Sequence, residues 1–299
     1  MAALKDAKEL VADARARIEN DKKYAAGKMP ASRKMTEINP CDWKVAIIVV
    51  TWNAPEFVRL CLDSVRHYTT VPHEIIVVDN GSEAPLREWL TRQPDLKLVL
   101  NNENKLWCEG CNQGIQAAEG EVTHLMLLNS DMEVRRADWL QRMLNVLESS
   151  PRVGMVGTAA DRVRIWPTFG SPDGQCLLIK KRLLDEIGLL NSEKFPWNGA
   201  DIDLAARAFA RGFIYKIMPP KPELVVHYHG MSRRQRSQTT PAPRLQRELD
   251  FHRIFRDAGL RPVYFPRPLW QIYKNLCQPF FDLTRRESKL AAKSMWDEK

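Results

Sequence analysis

The six residues Val45-Ala46-Ile47-Ile48-Val49-Val50 are apolar without a break and mostly β-branched. Such a run suits a strand buried on both faces, as inside a parallel sheet, where the usual polar alternation disappears. His73-Glu74-Ile75-Ile76-Val77-Val78 repeats the pattern, and Leu96–Leu100 and His124–Leu128 repeat it more weakly. Helical stretches fall between them, over Glu56–Tyr68, Pro85–Arg92 and Gly110–Ala118. Strands alternating with helices predict an α/β domain with a mainly parallel sheet. At 299 residues, 44% of them hydrophobic, the chain is long enough to close a core around that sheet. Disordered, collagen-like and disulfide-stapled classes are excluded by the same composition.

The segments on either side differ in character. Residues 4–24 read as a polar amphipathic helix with Leu4, Ala7, Leu10, Val11, Ala14 and Ile18 on one face, and residues 25–42, with Gly27, Pro30 and Pro40, read as a linker. The expected division is 1–42 as N-terminal helix and linker, 43–236 as the α/β domain, and 237–299 as a basic, aromatic, helical extension. The formal net charge of +8 follows this division. Residues 41–232 hold 21 basic and 24 acidic side chains, so the central block is slightly acidic and the flanks carry the whole excess. The first 24 residues are charged throughout, without the apolar run of a signal peptide, and no segment has the length of a bilayer crossing. Six scattered cysteines include one C-x-x-C, Cys108 and Cys111, with no second pair to complete a zinc site. A cytoplasmic protein with reduced thiols is the expectation.

In open α/β sheets ligands sit outside the carboxyl ends of the strands. The first strand ends in Thr51-Trp52-Asn53, the second in Asp79-Asn80-Gly81-Ser82 and the fourth in Asn129-Ser130-Asp131. A single Asp after a strand commonly caps a helix or shapes a turn. Two at one sheet edge, with an aromatic beside them, point to a nucleotide-and-metal site.

Seven elements in order carry a resemblance. They are Val45–Asn53 with its T-x-N ending, Ile75–Ser82 (IIVVDNGS), Asn104–Ile115 (NKLWCEGCNQGI), Leu127–Asp131 (LLNSD), Gly174–Gly188, Asp201–Leu204 (DIDL) and His227–Ser232 (HYHGMS). From Val45 to about Ser232 the chain resembles the family 2 glycosyltransferases of GT-A fold, especially their rhamnosyltransferase-like branch. That resemblance implies a Rossmann-like nucleotide-diphospho-sugar transferase domain. It also implies a nucleoside-diphosphate sugar donor, a divalent metal (Mn²⁺ or Mg²⁺), and inversion at the anomeric carbon.

The resemblance also distributes roles. Asp131 is the implied metal ligand, joined by His227, with His229 as the alternative two residues on. Asn129 stands where the general D-x-D has its first Asp and is implied to contact the ribose or a metal-bound water, with Ser130 beside it. Asp79 matches the acid that bonds the donor's pyrimidine or ribose, and Thr51, Trp52, Asn53, Asn80 and Asn104 join it as donor-side residues. Trp52 either borders the base pocket or packs. Asn112 holds the loop or a donor hydroxyl, and the C-x-x-C becomes part of a donor-site loop. Asp201 matches the catalytic base and opens a helix over Asp201–Arg211, where an Asp also serves as N-cap. Asp203 is a structural residue or a supporting acceptor, or shares the role of base with Asp201. The Glu expected before Asp201 is Ala200. Arg233 and Arg234 are a candidate lid over the diphosphate or a solvated basic run.

Residues 237–299 fall outside the resemblance. Gln246–Arg256 and Leu269–Trp296 read as helices, the latter interleaving Trp270, Tyr273, Phe280, Phe281 and Trp296 with Arg285, Arg286, Lys289 and Lys293. They pack on the core, or they reach an acceptor: a glycan or carrier-lipid acceptor at a membrane surface, or nucleic acid carrying a hydroxylated base. Peripheral membrane contact accompanies the lipid reading. The alternative in a different class is a non-catalytic glycan- or nucleic-acid-binding protein on the same scaffold, for which Ala200 is the sequence feature in favour.

Overall fold

The computed structural model describes residues 7–25, 43–158, 160–161, 165–166, 171–196, 199–218, 224–228, 253–261 and 263–264. In chain order the elements are α1 (Ala7–Ala25), β1 (Val45–Thr51), α2 (Pro55–Tyr68), β2 (His73–Asn80), α3 (Ala84–Thr91), β3 (Leu96–Asn101), α4 (Leu106–Ala117) and β4 (His124–Asn129). There follow β5 (Met132–Val134), α5 (Trp139–Leu147), β6 (Val153–Gly157), β7 (Ala160–Asp161), β8 (Ile165–Trp166), β9 (Ser171–Pro172), β10 (Cys176–Lys180) and α6 (Lys181–Ile187). The last are α7 (Ala200–Ala210), β11 (Ile214–Ile217), β12 (Val225–His227) and β13 (Val263–Tyr264).

The main sheet has the order β11-β6-β10-β4-β1-β2-β3. Within it only β10 runs against its neighbours, pairing antiparallel with both β4 and β6. The strand predicted from the unbroken apolar run is the centre of this sheet, and its two faces feed two cores. Val45, Ile47 and Val49 join α1, α2, α3 and α5 on one side. Ala46 and Ile48 join α4, α6, α7 and the helical residues Ile254 and Phe255 on the other. Helices on both faces leave no side of β1 for polar residues, which explains the run. Each fully buried Val or Ile there contributes roughly 1.5–3 kcal/mol.

Two features set the position of the strand ends. First, the chain winds from β1 outward to β3, then crosses to β4 on the opposite side of β1. That reversal creates a crevice at the carboxyl ends of β1 and β4. Second, α4 lies unusually close to β1. A Cβ at Gly110 would stand 2.7 Å from Val50 Cγ1, and one at Gly114 would stand 2.3 Å from Ile48 Cγ2. Only glycine at this i, i+4 pair lets the helix seat on the sheet at that depth.

The first helix is part of the same packing. Val11, Ala14 and Ile18 are buried in the core cluster that holds α2, as the one-face reading of this segment requires. A hydrogen bond from Tyr68 to Asp21 and an ion pair from Arg17 to Glu133 fasten its polar side. α4 begins at Leu106, four residues before the predicted start at Gly110. Leu106 has φ 70, a left-handed conformation that a sequence pattern does not advertise for leucine. The helix predicted over Gln246–Arg256 is described only from Arg253, and Leu269–Trp296 lies outside the described residues.

Candidate active site

The strand register brings the polar strand ends into line. Thr51 is the partner of Asp79 across β1 and β2, and Val50 is the partner of Asn129 across β1 and β4. Thr51 and Asp79 are buried. Thr51 Oγ1 and Asn53 Nδ2 are buried without a hydrogen-bond partner. Asp79 Oδ1 accepts the Ser82 N–H at 3.2 Å, while Oδ2 accepts no hydrogen bond and has Arg87 Nη1 3.9 Å away. Buried polar atoms left in this state are costly in a native protein unless a ligand completes them. Three of them, Thr51 Oγ1, Asn53 Nδ2 and Asp79 Oδ2, lie at one sheet edge, where they could bond a polar ligand.

Asn53 and Ala54 follow β1 with φ 58 and 55. Two consecutive left-handed non-glycine residues are strained. They are held because the Asn53 N–H donates to Ser82 Oγ at 2.8 Å and Asn53 Oδ1 accepts the Glu83 N–H at 2.9 Å. Asn53 therefore ties the loop after β1 to the loop after β2. Trp52 is half-buried beside it.

The segment before α4 is built on asparagines. Asn104 Oδ1 accepts the Leu106 N–H at 2.8 Å and Asn80 Nδ2 donates to the Leu106 carbonyl at 3.0 Å, so both clamp the left-handed residue. Asn80 Oδ1 in turn accepts from Asn101 at 2.9 Å. Asn112 uses both ends of its amide on the backbone of Leu190, at 2.8 and 3.1 Å. Of the two roles expected for it, the structure displays loop holding. Burial pushes the Cys108 thiol up to about 12, with the charges of Glu109 and Asp201 adding, and raises Cys111 well above its ordinary value. Neither thiol ionises near neutral pH, so the C-x-x-C is part of the packing.

Past β4 the chain turns through Asn129, Ser130 and Asp131 into β5, which pairs antiparallel with β12. That pairing places His227 beside Met132, with His227 Nε2 3.1 Å from Asp131 Oδ1. Asp131 and Ser130 are buried. Under them sits Glu133, also buried, accepting from Arg17, Arg135 and the Tyr228 hydroxyl at 2.7–3.2 Å. The Asp131–His227 pair supplies one carboxylate and one imidazole, a donor set compatible with Mn²⁺ or Mg²⁺ when substrate oxygens complete the sphere. Among the described residues no three His, Cys, Asp or Glu side chains converge on one point.

Asp201 is the second residue of α7. The N-cap is Gly199, at φ 93, rather than the Asp201 expected to open the helix, because only a glycine suits that left-handed entry. Asp201 Oδ1 accepts the Ile202 N–H at 2.9 Å and Oδ2 accepts the Gly174 N–H at 3.0 Å, from the turn preceding β10. The half-buried carboxylate remains at the helix N-terminus, where the macrodipole favours its charged form. Asp203 pairs with Arg207 at 2.8 Å, which makes it the structural member of the pair. Ala200 is buried in the core and offers no group to a substrate. His229, Arg233 and Arg234 lie outside the described residues.

Sequence reasoning missed the support layer. Glu133 and Arg17 sit outside the motifs, Tyr228 stands in one without a role assigned to it, and their meeting depends on the β5–β12 pairing and the docking of α1. The turn glycine Gly174 was visible only as the start of a strand segment.

Residues 46–188 match the family model described as glycosyl transferase family 2. The chain is 25% identical over 232 residues to the O-antigen biosynthesis protein RfbC of Myxococcus xanthus, covering 64% of this chain and 18% of that protein. It is 23% identical over 183 residues to the low-salt glycan biosynthesis hexosyltransferase Agl10 of Haloferax volcanii, covering 51% of this chain and 58% of that protein. The chain thus spans well under two thirds of the length of these curated relatives. Among solved structures it is similar to the mannosyltransferase PcManGT from Pyrobaculum calidifontis in complex with GDP-Man and Mn²⁺, with TM-score 0.51, 19% identity, and coverage of 96% and 95% of the two chains. That likeness fixes the fold as GT-A, the architecture expected from the motifs.

Proposed function

We propose, from the match of residues 46–188 to the glycosyl transferase family 2 model, that this chain transfers a hexose or deoxyhexose from a nucleoside-diphosphate sugar to an acceptor hydroxyl, with inversion. The observation that carries the reading is the register at the sheet edge. Thr51, Asp79 and Asn129 end adjacent strands, with the Asp131–His227 pair immediately beyond β4.

Asp79 Oδ2 and Thr51 Oγ1 are the buried groups suited to the nucleoside, with Asn53 and Asn80 shaping the loops around it. Asp131 and His227 would hold the divalent ion, Mn²⁺ or Mg²⁺. A bound ion supplies countercharge for the diphosphate oxygens. Asp201 takes the proton of the acceptor hydroxyl as its oxygen forms the new bond to the anomeric carbon. The bond from that carbon to the diphosphate oxygen breaks, and the nucleoside diphosphate leaves with the electron pair. The bound carboxylate geometry, with Gly174 and Ile202 N–H groups on its two oxygens, holds the base in one orientation.

A glycan or carrier-lipid-linked glycan is the proposed acceptor, supported by the O-antigen and glycan biosynthesis names of the relatives. No described helix is long and apolar enough to cross a membrane.

The test is nucleoside diphosphate release from a panel of GDP-, UDP- and dTDP-sugars, with Mn²⁺ or Mg²⁺ and oligosaccharide or carrier-lipid acceptors. Wild type should turn over at least one donor, and Asp131→Ala and Asp201→Ala should each abolish transfer. Absence of metal-dependent nucleotide binding in the wild type would support the non-catalytic alternative. Full activity in both variants would remove the assigned roles.

A further inference from the structure

One aromatic side chain touches both halves of the site. Trp107, the second residue of α4, donates from Nε1 to Asn129 Oδ1 at 3.1 Å. The far end of the same indole lies on Gly174, where a Cβ would stand 2.4 Å from Cη2 and 2.8 Å from Cζ2. Gly174 is the residue whose N–H holds Asp201 Oδ2 at 3.0 Å. Its neighbour Gln175 accepts the Asn129 N–H at 2.9 Å, so the turn is fixed to the end of β4 as well.

The chemistry of these contacts is directional. An indole N–H donates and has no acceptor capacity, so the Asn129 atom facing it must be the carbonyl oxygen. The amide NH₂ is thereby turned away from Trp107. An aspartate at this position would offer oxygens to a metal, whereas this asparagine, oriented so, offers donors suited to phosphate or hydroxyl oxygens. At the other end, the close approach requires glycine at 174, and the indole forms the wall against which the base-holding turn rests. The placement of Trp107 itself is secured by the clamp on Leu106 just before it.

We propose that Trp107 is a positioning residue of the transferase: it orients Asn129 as a hydrogen-bond donor to the sugar nucleotide and sets the turn whose Gly174 N–H holds the Asp201 carboxylate. This inference rests on the transferase reading for its kinetic consequences but not for the contact itself.

The experiment is a double-mutant cycle on the full chain with Trp107→Phe and Gly174→Ala. Phenylalanine keeps a ring but loses the N–H and ends short of Cη2. Gly174→Ala alone should lower the melting midpoint by several degrees through overpacking, and adding Trp107→Phe should restore most of it. In turnover, Trp107→Phe should raise the donor KM about fivefold, the worth of one hydrogen bond, and should lower kcat about threefold as the turn that holds Asp201 loses part of its wall. Gly174→Ala should lower kcat about tenfold or more by displacing Asp201, and the double variant should recover kcat to the level of Trp107→Phe but not KM. Additive melting shifts, or an unchanged donor KM in Trp107→Phe, would overturn the proposal. A wild type inactive on every donor would instead overturn the transferase reading, and the melting cycle would still decide the contact.

Discussion

His227 Nε2 lies 3.1 Å from Asp131 Oδ1 across a sequence separation of 96 residues. The antiparallel pairing of β12 with β5 creates this contact, and the Tyr228 N–H donating to the Asp131 carbonyl at 3.0 Å continues it. If the two side chains share an ion, each should be needed for metal-dependent nucleotide binding. Calorimetric titration of UDP or GDP with and without Mn²⁺ should show affinity reduced on the order of 10–100-fold in His227→Ala and at least as much in Asp131→Asn. Without metal the variants and the wild type should bind alike. Equal metal-dependent affinity in His227→Ala would make the histidine a mere neighbour.

Glu133 is the keystone beneath that pair, with a side chain 1% exposed between Arg17, Arg135 and the Tyr228 hydroxyl. Burial first, then the hydrogen bond to Glu133, pushes the Tyr228 phenol up to about 12, so it stays a donor at all ordinary pH. Glu133→Ala should cost about 3–5 kcal/mol, since it strands partly buried cationic and hydroxyl partners. Arg17→Ala should cost no more than about 1 kcal/mol, because that arginine is 44% exposed and water replaces it. Urea unfolding midpoints compare the two; equal costs would mean that α1, and not the buried carboxylate, holds the β5–β12 pair.

The parts legible in the sequence are those whose cause is local. The β1 and β2 runs are apolar because both faces of the central strands are covered, and the strand-end polar residues follow from where parallel strands bind ligands. The Asp131 and Asp201 segments were readable through order of motifs. What stayed hidden depends on contacts between distant segments. No pattern around Trp107 announces that its indole meets Gly174, and nothing near Glu133 announces Arg17. The start of α4 was misplaced because leucine in a left-handed conformation gives no signal, and the N-cap of α7 because Asp201 hides the glycine two residues before it.

Leu106 itself offers a test of stored strain. Its φ of 70 costs about 1–2 kcal/mol for a residue with a side chain, and the Asn80 and Asn104 bonds to its backbone oppose that cost. Asn80→Ala should destabilise by about 1–3 kcal/mol by removing the side-chain donor to the Leu106 carbonyl, while Asn101 Nδ2 keeps its bond to Gln113. The same change in a Leu106→Gly background should cost about 1 kcal/mol less, because glycine adopts the conformation unaided. Chemical denaturation of the four proteins of this cycle measures the coupling. Strict additivity would show that the asparagine does not hold the turn.

At the opposite end of the sheet, Glu148 bonds His124 Nε2 at 2.8 Å and Lys180 Nζ at 3.0 Å. Burial pushes its carboxyl upward, the hydrogen bonds from His124 and Lys180 push it down, and the net shift is downward. Other polar groups face this cluster: the Thr123 hydroxyl, 2.8 Å from His124 Nδ1, and the Ser150 carbonyl, 3.3 Å from Lys180 Nζ. A carboxyl whose folded pKa is depressed binds protons more readily when unfolded, so it stabilises the fold above the unfolded value of about 4.3. That contribution is lost as pH falls through the lower folded pKa. Glu148→Gln should therefore be less stable than wild type at pH 7, and the gap should close on acidification below about pH 4. Urea midpoints of the two proteins across pH 3 to 7 measure that gap directly, subtracting the titration of every other carboxylate common to both. A constant gap would mean that the His124–Glu148–Lys180 cluster holds its place by packing and not by charge.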